Sequence, residues 1–233
     1  FTPPSNLAHG SHTLYVQEKD NATNWSATGS ASVVIDLIAP STPSVSVVAT
    51  ANPSQPQWSW TGDATDGSGT FRYKLNNSNL TTGATETSAK IFQPSANLAD
   101  GTHTLYVQEK DAVGNWSTSG TASITVDTTP PFAPNVTGTT PSNLAQPTWT
   151  WTSGGNGGNG TYRFKRDNSD LESFASITTT PVFVPANPIT EGPHTLYVQE
   201  RDDAGNWSPT GSFTIVVDTI APDPPQISVT PAL

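Results

Sequence analysis

The sequence predicts an all-β fold of two-layer sandwiches in tandem, arranged end to end. Three observations predict it. One block of residues recurs at a fixed interval, the segments between recurrences read as short strands broken by turn signals, and no stretch carries the 3.6-residue apolar period of a helix.

The recurring block is HTLYVQEKD at 12–20, HTLYVQEKD again at 103–111 and HTLYVQERD at 194–202, so both intervals are 91 residues. The register holds without a gap. Trp25, Trp116 and Trp207 share it, as do Asp36, Asp127 and Asp218, and Pro40, Pro131 and Pro222. In the other half of the period Trp58 and Trp60 match Trp149 and Trp151, Arg72 and Lys74 match Arg163 and Lys165, and Phe92 matches Phe183. Residues 1–40 are therefore expected to be the C-terminal part of one repeat. Two complete repeats follow at 41–131 and 132–222, and 223–233 is the first strand of another. On this reading the chain begins and ends inside repeats, which agrees with the lack of any Met.

Within the repeat that starts at 132, strands are expected near Asn135–Gly138, Thr148–Thr152, Tyr162–Arg166, Ser176–Val184, His194–Glu200 and Ser212–Val217. Between them lie GGNGGNG at 154–160, Pro-rich segments, and DDAGN at 202–206, where Gly and Asn supply positive φ. Alternation sets Trp149 and Trp151 on one face and the intervening threonines on the other. Six or seven short antiparallel strands in about 91 residues is the count of an immunoglobulin-like or fibronectin-III-like β-sandwich.

Composition excludes several function classes. Nine Lys and Arg stand against 19 Asp and Glu, a net charge of −10, whereas nucleic acid and anionic lipid need a positive surface. The absence of Cys removes a disulfide framework, a thiolate zinc site and a cysteine nucleophile together. No apolar run approaches the roughly 20 residues that cross a bilayer, so no membrane insertion is expected of this segment. Phe1-Thr2-Pro3-Pro4 has neither the basic nor the apolar part of a signal peptide.

The unit resembles the tandem bacterial Ig-like (Big-type) repeats of large surface proteins and fibrillar adhesins. The residues that carry the resemblance are G-x-H-T-L-Y-V-Q-E-x-D-x-x-G-N-W-S, V-D-T-x-x-P at the unit's end, and the Trp-x-Trp strand, and together they cover essentially the whole chain. In the first unit Asn21-Ala22-Thr23-Asn24 lacks the turn Gly and Ile35-Asp36-Leu37-Ile38 replaces V-D-T-T. The resemblance implies an extracellular or cell-surface location and a structural, non-enzymatic role, with neighbouring Ig-like repeats of the same chain as partners and other copies as partners in a fibre.

Without Cys, each sandwich must gain its stability from buried area. An aromatic side chain buries roughly 150–250 Å², and at about 25 cal/mol per Å² a Trp pair contributes several kcal/mol, comparable with the ~2–5 kcal/mol of a native disulfide. Trp58, Trp60, Trp149 and Trp151 are accordingly expected in the core; the alternative is a sugar-stacking platform. Trp25, Trp116 and Trp207 either close the end of a sandwich or pack on the neighbouring unit. From Asp127 to Asn135 the link holds three Pro, which fix φ near −65° and make a semi-rigid spacer. Each unit should then add about 35–45 Å to a rod, from a strand rise of roughly 3.3 Å per residue.

Acidic residues are expected to gather where units meet. Asp36 should approach Asp111 and Asn115, and Asp127 should approach Asp202, Asp203 and Asn206, with Glu109 and Glu200 one strand step before Asp111 and Asp202. Asp63 and Asp66 add two carboxylates in the loop at 62–66 of the repeat at 41–131. Calcium takes roughly six to eight oxygens at about 2.3–2.6 Å, so Asp36, Glu109, Asp111, Asp127, Glu200 and Asp202 are candidate ligands for an interdomain Ca²⁺. The competing reading has Asp111 and Asp202 bonding backbone N–H groups of their own turns.

No catalytic set is expected. His12, His103 and His194 are one repeated position, whereas an active site needs unlike residues converging in one pocket. The Gly-rich 154–160 segment lacks the Lys-Ser/Thr and the helix of a phosphate loop. Arg72, Lys74, Arg163 and Lys165 read as solvent-facing. Asn-x-Ser/Thr sequons recur at Asn24, Asn115 and Asn206, with others at Asn79 and Asn135. The competing functions are a self-assembling filament subunit that exchanges strands between chains, and a carbohydrate-binding accessory region of a secreted enzyme.

Overall fold

A computed structural model describes residues 1–49 and 53–228, and among them every regular element is a β-strand. The chain divides into two compact units, Phe1–Asp127 and Thr128–Leu233.

The first unit opens with a hairpin, β1 (Gly10–Val16) and β2 (Gly29–Ile35), paired from Gly10–Ile35 to Val16–Gly29. Seven strands follow: β3 (Ser44–Val48), β4 (Gln57–Thr61), β5 (Thr70–Leu75), β6 (Thr85–Thr87), β7 (Ile91–Phe92), β8 (Gly101–Lys110) and β9 (Gly120–Val126). They form a three-stranded sheet in the order β3-β4-β7 and a four-stranded sheet in the order β6-β5-β8-β9. The second unit repeats the plan with β10 (Asn135–Gly138), β11 (Trp149–Thr152), β12 (Gly158–Arg166), β13 (Ser176–Thr178), β14 (Val182–Phe183), β15 (Gly192–Asp202) and β16 (Gly211–Val217). Its sheets run β10-β11-β14 and β13-β12-β15-β16.

Period-2 alternation drives both sandwiches. In β4 the two indoles point inward while Gln57, Ser59 and Thr61 point out, and in β8 Leu105, Val107 and Glu109 point inward between outward Tyr106, Gln108 and Lys110. Trp58, Trp60, Phe71, Leu105 and Val107 make the core of one sandwich; Trp149, Trp151, Tyr162, Leu196, Val198 and Ile215 lead that of the other. The strand tryptophans are thus interior, and no sugar platform exists on those strands.

Single indole bonds tie the two sheets together. Trp58 Nε1–H donates to the Ala122 carbonyl of β9 at 3.0 Å, and Trp149 Nε1–H donates to Phe213 of β16 at 3.0 Å. At the open edge the chain entering β3 passes over β9, and a Cβ on Gly120 would lie 2.0 Å from the Pro43 carbonyl oxygen. Gly211 stands in the same relation to Pro134. The chain after β10 then runs parallel to β16: Ser142 N–H donates to Val216 O at 2.8 Å and Asp218 N–H to Ser142 O at 2.9 Å. The corresponding residues 50–52 lie outside those described.

One expected strand is divided. Ser176–Val184 becomes β13 and β14, which belong to different sheets. Pro181 has no N–H to donate, and Thr180 N–H turns back to Thr178 Oγ1 at 2.9 Å, so the chain leaves one sheet and joins the other. Of the opening strand expected at 223–233, residues 223–228 are irregular and 229–233 lie outside the described residues.

Candidate functional site

Of the acidic residues singled out by the sequence, Glu109, Asp111, Glu200 and Asp202 lie at the ends of β8 and β15 or in the turn just beyond, whereas Asp36 follows β2 and Asp127 follows β9. Glu109 and Glu200 are fully buried, because they occupy inward positions of their strands. Each of their carboxylates is enclosed by a loop of its own sandwich, that between β4 and β5 for Glu109 and that between β11 and β12 for Glu200. Glu109 Oε2 accepts the Asp63 N–H at 2.6 Å and Oε1 the Gly69 N–H at 3.2 Å. The loop comes so near that a Cβ on Gly62 or Gly67 would lie 2.3 Å from the carboxylate. Glu200 takes the Ser153 hydroxyl at 2.7 Å, the Gly160 N–H at 3.2 Å and the Tyr162 phenol. Burial pushes the Tyr162 phenol above its ordinary pKa, and the negative charge and hydrogen bond of Glu200 add to the shift.

One turn further on, Asp111 Oδ1 accepts N–H groups from Val113 (2.9 Å), Gly114 (2.6 Å) and Asn115 (2.8 Å), while Oδ2 takes Asn115 Nδ2 at 2.7 Å. Burial alone would raise this carboxyl; the bonds from Asn115, Gly114 and Val113 outweigh it and hold the pKa below the usual carboxylate range. Asp202 repeats the pattern with Gly205 and Asn206. The turn-bonding reading therefore describes Asp111 and Asp202.

Asp36 and Asn115 do meet, but through the main chain: Asn115 Nδ2 donates to Asp36 O at 3.2 Å and Ile38 O at 3.3 Å. The Asp36 carboxylate turns instead toward His9, 3.3 Å away, and the Ile38 N–H. Asp63 Oδ2 accepts the Ser41 N–H at 2.9 Å, and its carboxyl is held well below the usual range by the Ser41 and Thr65 bonds. The segment leaving the hairpin is thus held by one side chain from each of two loops. In the second unit Asn156 Nδ2 donates to Pro130 O at 3.0 Å and plays the corresponding part. Asp127 sits half-buried at the end of β9. Among the described residues, no group of three or more His, Asp or Glu side chains is placed to hold a metal ion.

The repeated histidines are bonded at both ring nitrogens in the complete units. His103 lies 2.8 Å from Ala99 O and 2.9 Å from Asn76 Nδ2; His194 lies 2.9 Å from Thr190 O and 2.7 Å from Asp167 Oδ2. Sequence reasoning missed a ladder on the outer face of the larger sheet. The Arg72 guanidinium stands 4.2 Å from the Trp116 ring centroid and Lys110 5.1 Å, while Arg72 Nε donates to Gln108 at 2.8 Å. Arg163, Arg201, Trp207 and Gln199 repeat it. Lys74 and Lys165 cap loop carbonyls at Asn79 and Asp170. These cations are structural rather than merely solvated, and the joint recurrence of Arg72 with Trp116 was the signal.

A family model agrees with this architecture. Residues 45–128 match the family model of the bacterial Ig-like domain. Similar solved structures include a tetra-tandem repeat from the extending region of a large adhesion protein, at 19% identity over 91% of this chain and 58% of that one, with a TM-score of 0.34. This chain thus spans 58% of the length of that structure. Fibronectin(III)-like modules of Clostridium thermocellum CbhA are similar at 18% identity, covering 74% of this chain and 93% of theirs, with a TM-score of 0.36. The FN1-FN3 domains of chicken CNTN1 share 12% identity over 88% of this chain and 77% of theirs, with a TM-score of 0.40. No curated protein matches the chain.

Proposed function

We propose that the chain is a load-bearing spacer from the repetitive region of a long extracellular or cell-surface protein of adhesin type, and that it carries no catalytic role. The observation that supports this most directly is the parallel bridge between the segment after β10, at Ser142, and the end of β16 in the second unit. Tension entering before β10 and leaving after β16 acts along Ser142–Val216 and Asp218–Ser142 and loads those bonds together rather than one at a time. A second support is that the repeated polar residues are consumed internally. Glu109, Asp111 and His103, with their counterparts Glu200, Asp202 and His194, all bond their own backbone or loops, as a mechanical part repeated at one register should. The bacterial Ig-like family match over 45–128 favours the same surface setting. Its partners are neighbouring repeats of the same chain and, in a fibre, other copies.

Single-molecule extension tests the reading. Two unfolding events are expected, each releasing about one 91-residue repeat at roughly 3.5 Å per residue. A single event for the whole chain would overturn it.

A further inference from the structure

Two Asn-Gly pairs occur in the chain, Asn156-Gly157 just before β12 and Asn159-Gly160 in the bulge that opens it. Asn-Gly is the dipeptide best able to cyclise on itself, because Gly carries no Cβ to keep its amide nitrogen from the neighbouring carboxamide carbon. The repeat at 41–131 has Thr65-Asp66 and Ser68-Gly69 at the same positions and holds no carboxamide there.

Both asparagines are exposed, so hydrogen bonding is what sets the two pairs apart. Asn159 is held on both sides of its carboxamide: Nδ2 donates to Asp202 O and to Asp203 Oδ1, each at 3.1 Å, and Oδ1 accepts the Thr161 N–H at 3.0 Å. The nitrogen that would attack it is engaged as well, with the Gly160 N–H donating to Glu200 Oε1 at 3.2 Å. At Asn156 the carboxamide makes a single bond, from Nδ2 to Pro130 O at 3.0 Å, and among the described residues the Gly157 N–H has no protein acceptor. Gly155, Asn156 and Gly157 stand consecutively at φ +86°, +56° and +84°, a left-handed run outside any strand ladder.

We propose that Asn156 is a site of spontaneous deamidation, which loosens the segment entering the second sandwich as the protein ages. The Gly157 nitrogen gives up its proton to hydroxide and attacks Cγ of Asn156. The N–Cγ bond forms and the Cγ–Nδ2 bond breaks; the departing nitrogen takes a proton from water and leaves as ammonia, which closes a five-membered succinimide. Water then opens the ring at either carbonyl, giving Asp or, with the main chain rerouted through Cγ, isoaspartate. Either product has a carboxylate and no Nδ2 donor, so repulsion between oxygens replaces the bond to Pro130 O. Phe132, whose N–H donates to Gly155 O at 3.3 Å, loses the restraint beside it. The chemistry is independent of the spacer role.

Incubation of the full chain in mildly alkaline buffer, with proteolysis and fragment-ion sequencing at intervals, tests it. Asn156 should gain about 1 Da as its NH₂ is exchanged for OH. In the folded chain it should do so about tenfold or more faster than Asn159, whose several bonds must break first, whereas in denaturing urea the two should convert at comparable rates. Amide exchange at Phe132 should quicken about threefold or more in Asn156→Asp, which carries the product in advance. Equal rates at the two asparagines in the folded chain, faster conversion at Asn159, or none at Asn156 overturns the proposal. Unchanged exchange at Phe132 in Asn156→Asp overturns the loosening.

Discussion

The indole N–H of Trp58 crosses the core to the carbonyl of Ala122 at 3.0 Å, and so joins the two sheets of its sandwich by a directed bond as well as by packing. Trp58→Phe keeps most of the apolar area and removes only the donor. A loss of about 1–2 kcal/mol is expected from urea unfolding of that sandwich, against about 3–5 kcal/mol for Trp58→Ala. Equal losses in the two variants would show that the bond adds nothing.

Both oxygens of Glu109 are in use, one by Asp63 N–H and one by Gly69 N–H. Glu109→Gln can accept on one side only and turns an NH₂ toward a donor on the other. Destabilisation of about 1.5–3 kcal/mol is expected by denaturant titration. Gly67→Ala should also destabilise the unit, because its Cβ would fall 2.3 Å from the same carboxylate.

Acid should weaken the first unit. Asp63 and Asp111 both have folded-state pKa values lowered by hydrogen bonds to their ionised forms. A lowered folded value means the contribution is complete above the ordinary carboxylate pKa of about 3.9 and is lost as pH falls below it toward the folded value. Melting temperature should therefore drop through that acid window, and the drop should be smaller in Asp111→Asn. An unchanged pH profile in that variant would remove Asp111 from the account.

Thr23 stands where the complete units have Gly114 and Gly205, and it adopts φ +73°. A β-branched residue in the left-handed region is strained. Thr23→Gly should relieve about 1 kcal/mol, read as slower amide exchange at Asn24, whose N–H bonds Asp20. Faster exchange would show that the turn carries no strain.

The Asp111 carboxylate takes four N–H bonds. It has little left to offer a cation. Excess chelator should leave the melting temperature unchanged, and a calcium-dependent rise beyond error would restore a metal at these turns.

Periodicity carried most of this fold in plain view. The Trp-x-Trp alternation predicts inward indoles, and Trp58 and Trp149 are fully buried. Local chemistry also offered the Asp111 turn as one of two readings, the other being a calcium ligand, because an Asx bond needs only residues two to four positions away. What the sequence could not supply was pairing across strands. Glu109 gave no sign that Gly62 and Gly67 would close over it from 40 or more residues away, since contact between loops depends on the sheet geometry that brings them together. Arg72 over Trp116 was hidden for the same reason, although both recur at the same interval.

The cross-core indole bond has a consequence for where such a protein can be made. A sandwich pinned by a thiol pair acquires its strength only after oxidation, and loses it to any reductant. One pinned by Trp58 and Trp149 needs no oxidant, isomerase or redox partner, so the same fold can mature on either side of an export barrier and keep its strength when glutathione levels change.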